Sequence, residues 1–445
     1  MPEQRRDPKP ARVLSGLRLR TPVLAVLVAL ALLTGFAYFF HFGATYQPDS
    51  ATYIVPAGNL LTRHAFLSAD GYPETERTPG YPLLILPFLY ARLDLEYLVV
   101  FQHLLRVGVI LAASAVALSL TRSYRQAVLT AVLLCIDLPL LDAANSVLSE
   151  MPFTVVLSLC LWLLWRDAGN AERPWPWSIL CGLLCGASVL IRPVALFFFV
   201  PAAIYLFLAR RSRRWRAVLI FLVAFALLPL LWAERNYRET GYFTVSSIGG
   251  YNMLFYRAAG ALAVEDPGRF SDNLNARDME LKAEVCTDLT RIYHRDCSQL
   301  PFPVLADAYS RLGGAILRKH PVAYLKVAAR SAAVLMLDGG AGAFTSITGL
   351  NPHLAVRLLT IYTAPALCFA IVGLVKFWKL SRRFFYLALL TILYFVVISS
   401  GAEAYSRLRV PVIPVYTILI AAGVDSALVY FGGRRRSRRP LSEVP

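Results

Sequence analysis

Apolar residues along this chain collect in blocks of membrane-spanning length, separated by short basic turns and by two long polar stretches. A helix crosses a bilayer with roughly 17–25 consecutive apolar residues. Windows of that kind fall near 22–40, 98–120, 126–141, 150–166, 178–191, 193–209, 216–233, 354–376, 384–400 and 408–430. The pattern predicts an all-α polytopic membrane protein of about ten transmembrane helices, with short interfacial helices in its long loops. The run 322–337 is also apolar, but Lys326 and Arg330 interrupt it, and such charges are costly at mid-bilayer. Counting it as a crossing would invert the last two spans, so it is expected to lie in the interface or to re-enter.

Composition agrees with this class. Hydrophobic residues make up 57% of the chain and charged residues 16%, where a soluble domain carries roughly 25%. The 45 Lys and Arg against 28 Asp and Glu leave +17, an excess that in a soluble protein would suggest nucleic acid. Here the basic residues sit in runs beside apolar segments, at Arg5 to Arg20, Arg122 to Arg125, Arg210 to Arg216, Lys376 to Arg383 and Arg434 to Arg439. That placement sets topology and favours anionic head groups. No nucleic-acid-binding module accompanies it, so no nucleic-acid partner is expected.

With the N-terminus cytoplasmic, every one of these runs falls on the cytoplasmic side. The resulting organisation is a basic N-terminus over 1–21, spans over 22–233 with a first outer loop at 41–97, a large outer loop over 234–353, C-terminal spans over 354–430 and a basic tail over 431–445. The first span is read as uncleaved, because its apolar run is too long for a signal-peptide core. No nucleotide-binding glycine motif follows a strand, so chemistry is expected at the outer face.

Cys135, Cys160, Cys181, Cys185 and Cys368 lie in apolar segments and read as small hydrophobes. Cys286 and Cys297 share the large polar loop. An oxidising outer compartment would permit a disulfide between them, and sequence leaves bridged and free forms open. The six histidines show no ligand spacing, and no zinc site is expected.

Residues that could carry chemistry cluster at the expected outer span ends. The segment from Tyr46 to Pro82 is polar and rich in Tyr and Pro, with Tyr53 and Tyr81 as candidate donor or acceptor contacts. In it Asp49 stands where the chain leaves the first span. A carboxylate at such a boundary can act as a general base, or it can simply cap the helix that follows. Glu150 opens a later span in LSEMPFT, either as a second functional carboxylate or as a complement to the helix dipole. Arg77, Arg192, Arg235, Arg407 and Arg409 all fall at outer ends, against the usual bias. Arginines there can snorkel to head groups, but so many on the less basic side suit a phosphate, for which guanidinium is a bidentate partner. Arg106, with Gln102 and His103, is polar within a span, as either a functional group or a hydrogen-bonded knot.

The order PDSATY, RTPGYP, SEMPF, IRP, RNYRETGYFTVSSIGGYN and YSRLRVPVIP resembles the GT-C glycosyltransferases, in particular bacterial relatives of protein O-mannosyltransferases and of the aminoarabinose transferase that modifies lipid A. The resemblance runs from residue 46 to about 423. It implies transfer of a sugar, with inversion, from a polyprenyl-phosphate donor to an envelope glycan, lipid or protein acceptor at the outer face of a bacterial inner membrane. Asp49 would be the base or acceptor-orienting carboxylate, Glu150 the second acidic position, and Arg192, Arg407 and Arg409 the phosphate ligands. A divalent cation between Asp49 and phosphate is compatible with the family, which is only partly metal-dependent. Many relatives carry a C-terminal soluble domain or extra spans after the last shared span, where this sequence has a basic tail, so the acceptor-recognition part is expected to be reduced. The alternative reading is a transporter or flippase of a lipid-linked sugar, which would require charges deep in several spans and an internal repeat.

Overall fold

The computed structural model describes residues 21–169 and 174–437. The basic run Arg5 to Arg20 and the end of the tail, with Arg438 and Arg439, lie outside them. The described residues are helical, with two isolated bridges, Thr45 with Ser146 and Leu67 with Pro73.

Six helices are long and apolar enough to cross a membrane: Thr21–Phe42 (α1), Leu95–Thr121, Glu150–Gly169, Arg214–Thr240, Pro352–Leu380, and Ser406–Phe431 with its 3-10 entry. A seventh crossing is the pair Tyr124–Cys135 and Leu138–Asn145, bent by 53°. The bend coincides with Asp137, which caps the second piece through Leu140 N, and with Pro139, which has no amide proton to continue the ladder. The remaining three expected spans are shorter helices, at Pro174–Ile191, Pro193–Ala209 and Arg382–Ile398. At about 1.5 Å per residue these reach less of the bilayer thickness than a 20-residue helix. Among the described residues the structure therefore holds six or seven crossings by length and composition, with three shorter apolar helices at the other expected spans. It is a multi-pass membrane protein.

Small residues let the spans meet backbone to backbone. A Cβ on Gly373 would stand 1.9 Å from Leu419 O, and one on Gly423 would stand 1.9 Å from Phe369 O. Such close approach is how membrane helices gain contact where lipid is as apolar as the side chains. Arg106 is fully buried and donates to Ala31 O, Thr34 Oγ1 and Cys135 O, so it ties three helices together.

Charged side chains gather at both ends of the bundle. At one end Asp425 meets Arg125, Gln126 and Lys376, and Asp167 meets Arg210 and Ser178. The other end carries the candidate site. Over it lies the large loop, built from an irregular helix across 248–263 that includes a π turn at Asn252–Ala258, then Phe270–Tyr293 and Phe302–Lys319. These pieces pack around Leu254, Phe255, Leu281, Val285 and Tyr309.

Cys286 and Cys297 are bridged, 11 residues apart. Closing a loop of that size stabilises a fold by about 3 kcal/mol. Cys286→Ser with Cys297→Ser is expected to raise proteolytic cleavage near 286–299 by about two orders of magnitude, with the spans intact by circular dichroism. Unchanged cleavage would show that the loop core alone holds this segment.

The apolar run 322–337 forms a helix, Pro321–Leu337, that is shorter than the crossing helices. It buries Ala323, Val327, Ser331 and Leu335, one stripe at four-residue spacing.

Candidate active site

Asp49 is delivered by a short segment pinned across the end of the bundle. Asn145 Nδ2 donates to Gly43 O and Thr45 Oγ1, and Thr45 pairs its backbone with the segment before Glu150. The chain leaving α1 is thereby held against the entry of Glu150–Gly169. The helix Ser50–Arg63 (α2) follows, yet Asp49 makes no side-chain cap on it. Its carboxylate turns instead to two arginines, with Oδ1 3.1 Å from Arg77 Nη2 and Oδ2 3.0 Å from Arg407 Nη2. The capping alternative is thus not the one realised.

Arg77 is placed by its own loop. Glu74 Oε1 accepts from the backbone of Glu76 and Arg77, at 2.5 and 2.9 Å, and folds the turn. Gly80 then seats the next helix, Gly80–Tyr90 (α3), where a Cβ would come within 2.6 Å of Leu190 O. Arg77 Nε donates to Thr52 Oγ1 at 2.8 Å, and its guanidinium lies 5.0 Å from the centre of the Tyr53 ring. Arg192 emerges at the end of Pro174–Ile191, extended as residues before proline are. Arg407 stands in the 3-10 turn Ser406–Val412, whose first amide, Ser406 N, donates to Asp338 Oδ2 at 2.8 Å.

These placements join into one alternating network. Glu76 meets Arg77 at 3.1 Å, Arg77 meets Asp49, Asp49 meets Arg407, and Arg407 Nε donates to Glu150 Oε1. Arg192 Nη1 lies 2.5 Å from the same Glu150 oxygen, as an ion pair outside hydrogen-bond geometry. Glu150 is fully buried, and its Oε2 has no partner. Asp49 is the open member, with 37% of its side chain exposed.

The structure thus brings together Asp49, Arg77, Glu150, Arg192 and Arg407. It places Arg235 and Arg409 elsewhere. Arg235 donates to Glu74 O and Phe66 O, and stacks near Phe66 and Trp232, so it fastens the loop that carries Glu74 and Arg77. Arg409 is buried and donates to Leu335 O, Met336 O and Asp338 O, closing the C-terminal end of Pro321–Leu337. Arg409 donates to backbone carbonyls, and Arg235 to two carbonyls and the Asn236 side chain. Tyr53 and Tyr81 stack edge to face at 5.1 Å beneath the network; Tyr53 OH meets Ser149 Oγ, and Tyr81 OH donates to Gln102.

Sequence reasoning did not single out Glu76, Asp338 or Thr52. The adjacency of Glu76 to Arg77 was the available signal. Asp338 had none, because its partner Ser406 is distant in the chain. Among the described residues no group of three or more His, Cys, Asp or Glu is arranged to hold a metal ion.

Burial pushes the Glu74 carboxyl up to about 7. A carboxyl raised in the folded state binds more protons there than in the unfolded chain. Its contribution is complete below the ordinary carboxylate range and is lost as pH rises through about 7. Protection of residues 64–79 from protease is therefore expected to fall between pH 6 and pH 8, by about fivefold or more, and Glu74→Gln should flatten the profile. A pH-independent cleavage rate in the wild type would count against it.

The fold and site together are those of a polytopic membrane protein with a carboxylate and arginine cluster at one end of its helix bundle. Residues 97–248 match the family model described as dolichyl-phosphate-mannose-protein mannosyltransferase. That segment contains Glu150, Arg192 and Arg235, and it excludes Asp49, Arg77 and Arg407. Two crystal structures of ArnT from Cupriavidus metallidurans are similar at 14% identity, over 96% of this chain and 82% of theirs. The one bound to undecaprenyl phosphate has a TM-score of 0.40, and the one in the apo state 0.39. No curated protein matches the chain at a significant level.

Proposed function

We propose that this protein is an inverting glycosyltransferase that moves a sugar from a polyprenyl-phosphate donor to an envelope acceptor, at the outer face of a bacterial cytoplasmic membrane. The observation that carries this reading is the site itself: an exposed carboxylate, Asp49, held between arginines at the end of a membrane bundle. The match of residues 97–248 to a family named for a lipid-phosphate sugar donor supports it.

In this mechanism the acceptor oxygen attacks the anomeric carbon as the bond from that carbon to the phosphate oxygen breaks. The leaving electron pair goes to the phosphate, and Asp49 takes the acceptor proton. Arg407 and Arg192, with Arg77 alongside, neutralise the charge that grows on the phosphate, and such electrostatic stabilisation is commonly the larger share of catalysis. Glu150 and Asp49 occupy the guanidiniums until phosphate arrives. A divalent ion, were one needed, would draw on the Asp49 carboxylate, which Arg77 and Arg407 share, and would supply further positive charge toward the phosphate. Turnover with added Mg²⁺ or Mn²⁺, and with chelator, reads that requirement directly.

Charges deep in the spans are the feature a transporter would need. Arg106, the one such group singled out in the sequence, is committed to helix carbonyls and a threonine hydroxyl. The test is mass spectrometry of lipids and envelope glycans from cells with and without the gene. A sugar lost from an acceptor while its polyprenyl-phosphate donor accumulates supports transfer; unchanged donor and acceptor pools overturn it.

A further inference from the structure

Away from the Asp49 network, the helix Pro321–Leu337 carries an exposed stripe at four-residue spacing: Val322, Lys326, Arg330 and Val334. Leu325 stands beside it, 66% exposed, and Val322 is 64% exposed. Two cations one turn apart are thus flanked by apolar side chains at both ends. Neither Lys326 nor Arg330 has an acidic partner among the described residues. At Arg330 the stripe opens into a cavity of about 100 Å³, walled by Phe270, Val327, Val334, Ala402 and Ala404. The Arg330 guanidinium lies 3.8 Å from the centre of the Phe270 ring. Stacking of this kind fixes one face of the guanidinium and leaves its donor edge free.

The residues that wall the cavity include no member of the Asp49 network. The cavity wall at Ala402 and Ala404 belongs to the turn that leads into Arg407, and Ser331 Oγ fastens that turn by donating to Gly401 O.

We propose that this cavity is a second lipid site, one that seats the anionic headgroup of a membrane amphiphile on Arg330 and Lys326 with its chains along Val322, Leu325 and Val334. The charge is complementary, since a planar guanidinium pairs two phosphate oxygens at once. The apolar flanks decide for a lipid over a free anion, because a soluble phosphate would leave them in water. A site made for a neutral headgroup would not leave two cations without counterions.

The test is native mass spectrometry of the full chain released from micelles holding equal amounts of phosphatidylglycerol and phosphatidylcholine. Wild type is expected to retain phosphatidylglycerol selectively. Arg330→Gln should cut that preference by about tenfold, the scale of one or two charge-assisted hydrogen bonds, and Arg330→Lys should keep part of it. Lys326→Gln, at an exposed position, gives a second reading should the first variant fold poorly. Arg407→Gln removes anionic lipid held at the candidate active site, and the preference that remains should still fall about tenfold when Arg330→Gln is added. Equal retention of both lipids, an undiminished preference in Arg330→Gln, or displacement of the lipid by inorganic phosphate would overturn the proposal.

Discussion

Asp49→Asn is expected to lower sugar transfer by about 10²–10⁴-fold, the usual scale for loss of a positioned general base. The asparagine keeps the shape, but its single oxygen can accept from only one of Arg77 and Arg407, its Nδ2 facing the other, and it cannot take a proton from the acceptor. Stability should change little. The carboxylate is the exposed member of the network, at 37%, and exposed ion pairs contribute little. Arg407 also keeps its bond to Glu150. The measurement is single-turnover transfer from a polyprenyl-phosphate donor by purified protein, with thermal unfolding of the same samples. A variant that turns over at the wild-type rate would remove Asp49 from the chemistry. One that fails to fold would say instead that the carboxylate holds the loop carrying Arg77 in place.

Much of this geometry was legible in the sequence because membrane topology is a one-dimensional code. Apolar windows and basic runs assign each span end to a side, and that put Asp49, Arg77, Glu150, Arg192 and Arg407 on one surface. The structure brings those five into a single network. The same code says nothing about what a guanidinium faces. Arg235 and Arg409 stand beside span ends just as Arg192 does, yet they meet carbonyls of Phe66, Glu74, Leu335 and Met336. Those partners are backbone atoms that any residue would supply, so no residue type announces them. A bend inside a span is hidden for a related reason. Hydropathy averages across breaks, and the run through Cys135 to Asp142 reads as continuous although Asp137 and Pro139 split and bend it.

Glu150→Gln should lose both stability and transfer, and the pairing of these losses is the informative part. Glu150 is fully buried and its Oε1 serves Arg192 and Arg407, whose side chains are 16% and 19% exposed. Removing one member of a buried pair costs about 3–5 kcal/mol, because a charge stays behind without its counterion. Partial hydration of the two arginines brings the expectation to the lower end of that range. Arg192 suffers more, since it has no other acidic partner among the described residues, whereas Arg407 retains Asp49. The freed guanidiniums are also the groups proposed to receive phosphate. A polyprenyl phosphate should therefore bind Glu150→Gln at least as tightly as wild type, while turnover falls because the arginines are no longer held in register. A base role makes the opposite forecast: turnover would vanish with thermal stability and phosphate affinity both unchanged. Calorimetric or fluorescence unfolding, paired with polyprenyl phosphate titration of the same preparation, separates the two. Stabilisation of the variant by added phosphate, beyond that of wild type, would identify Glu150 as the internal counterion that the donor replaces.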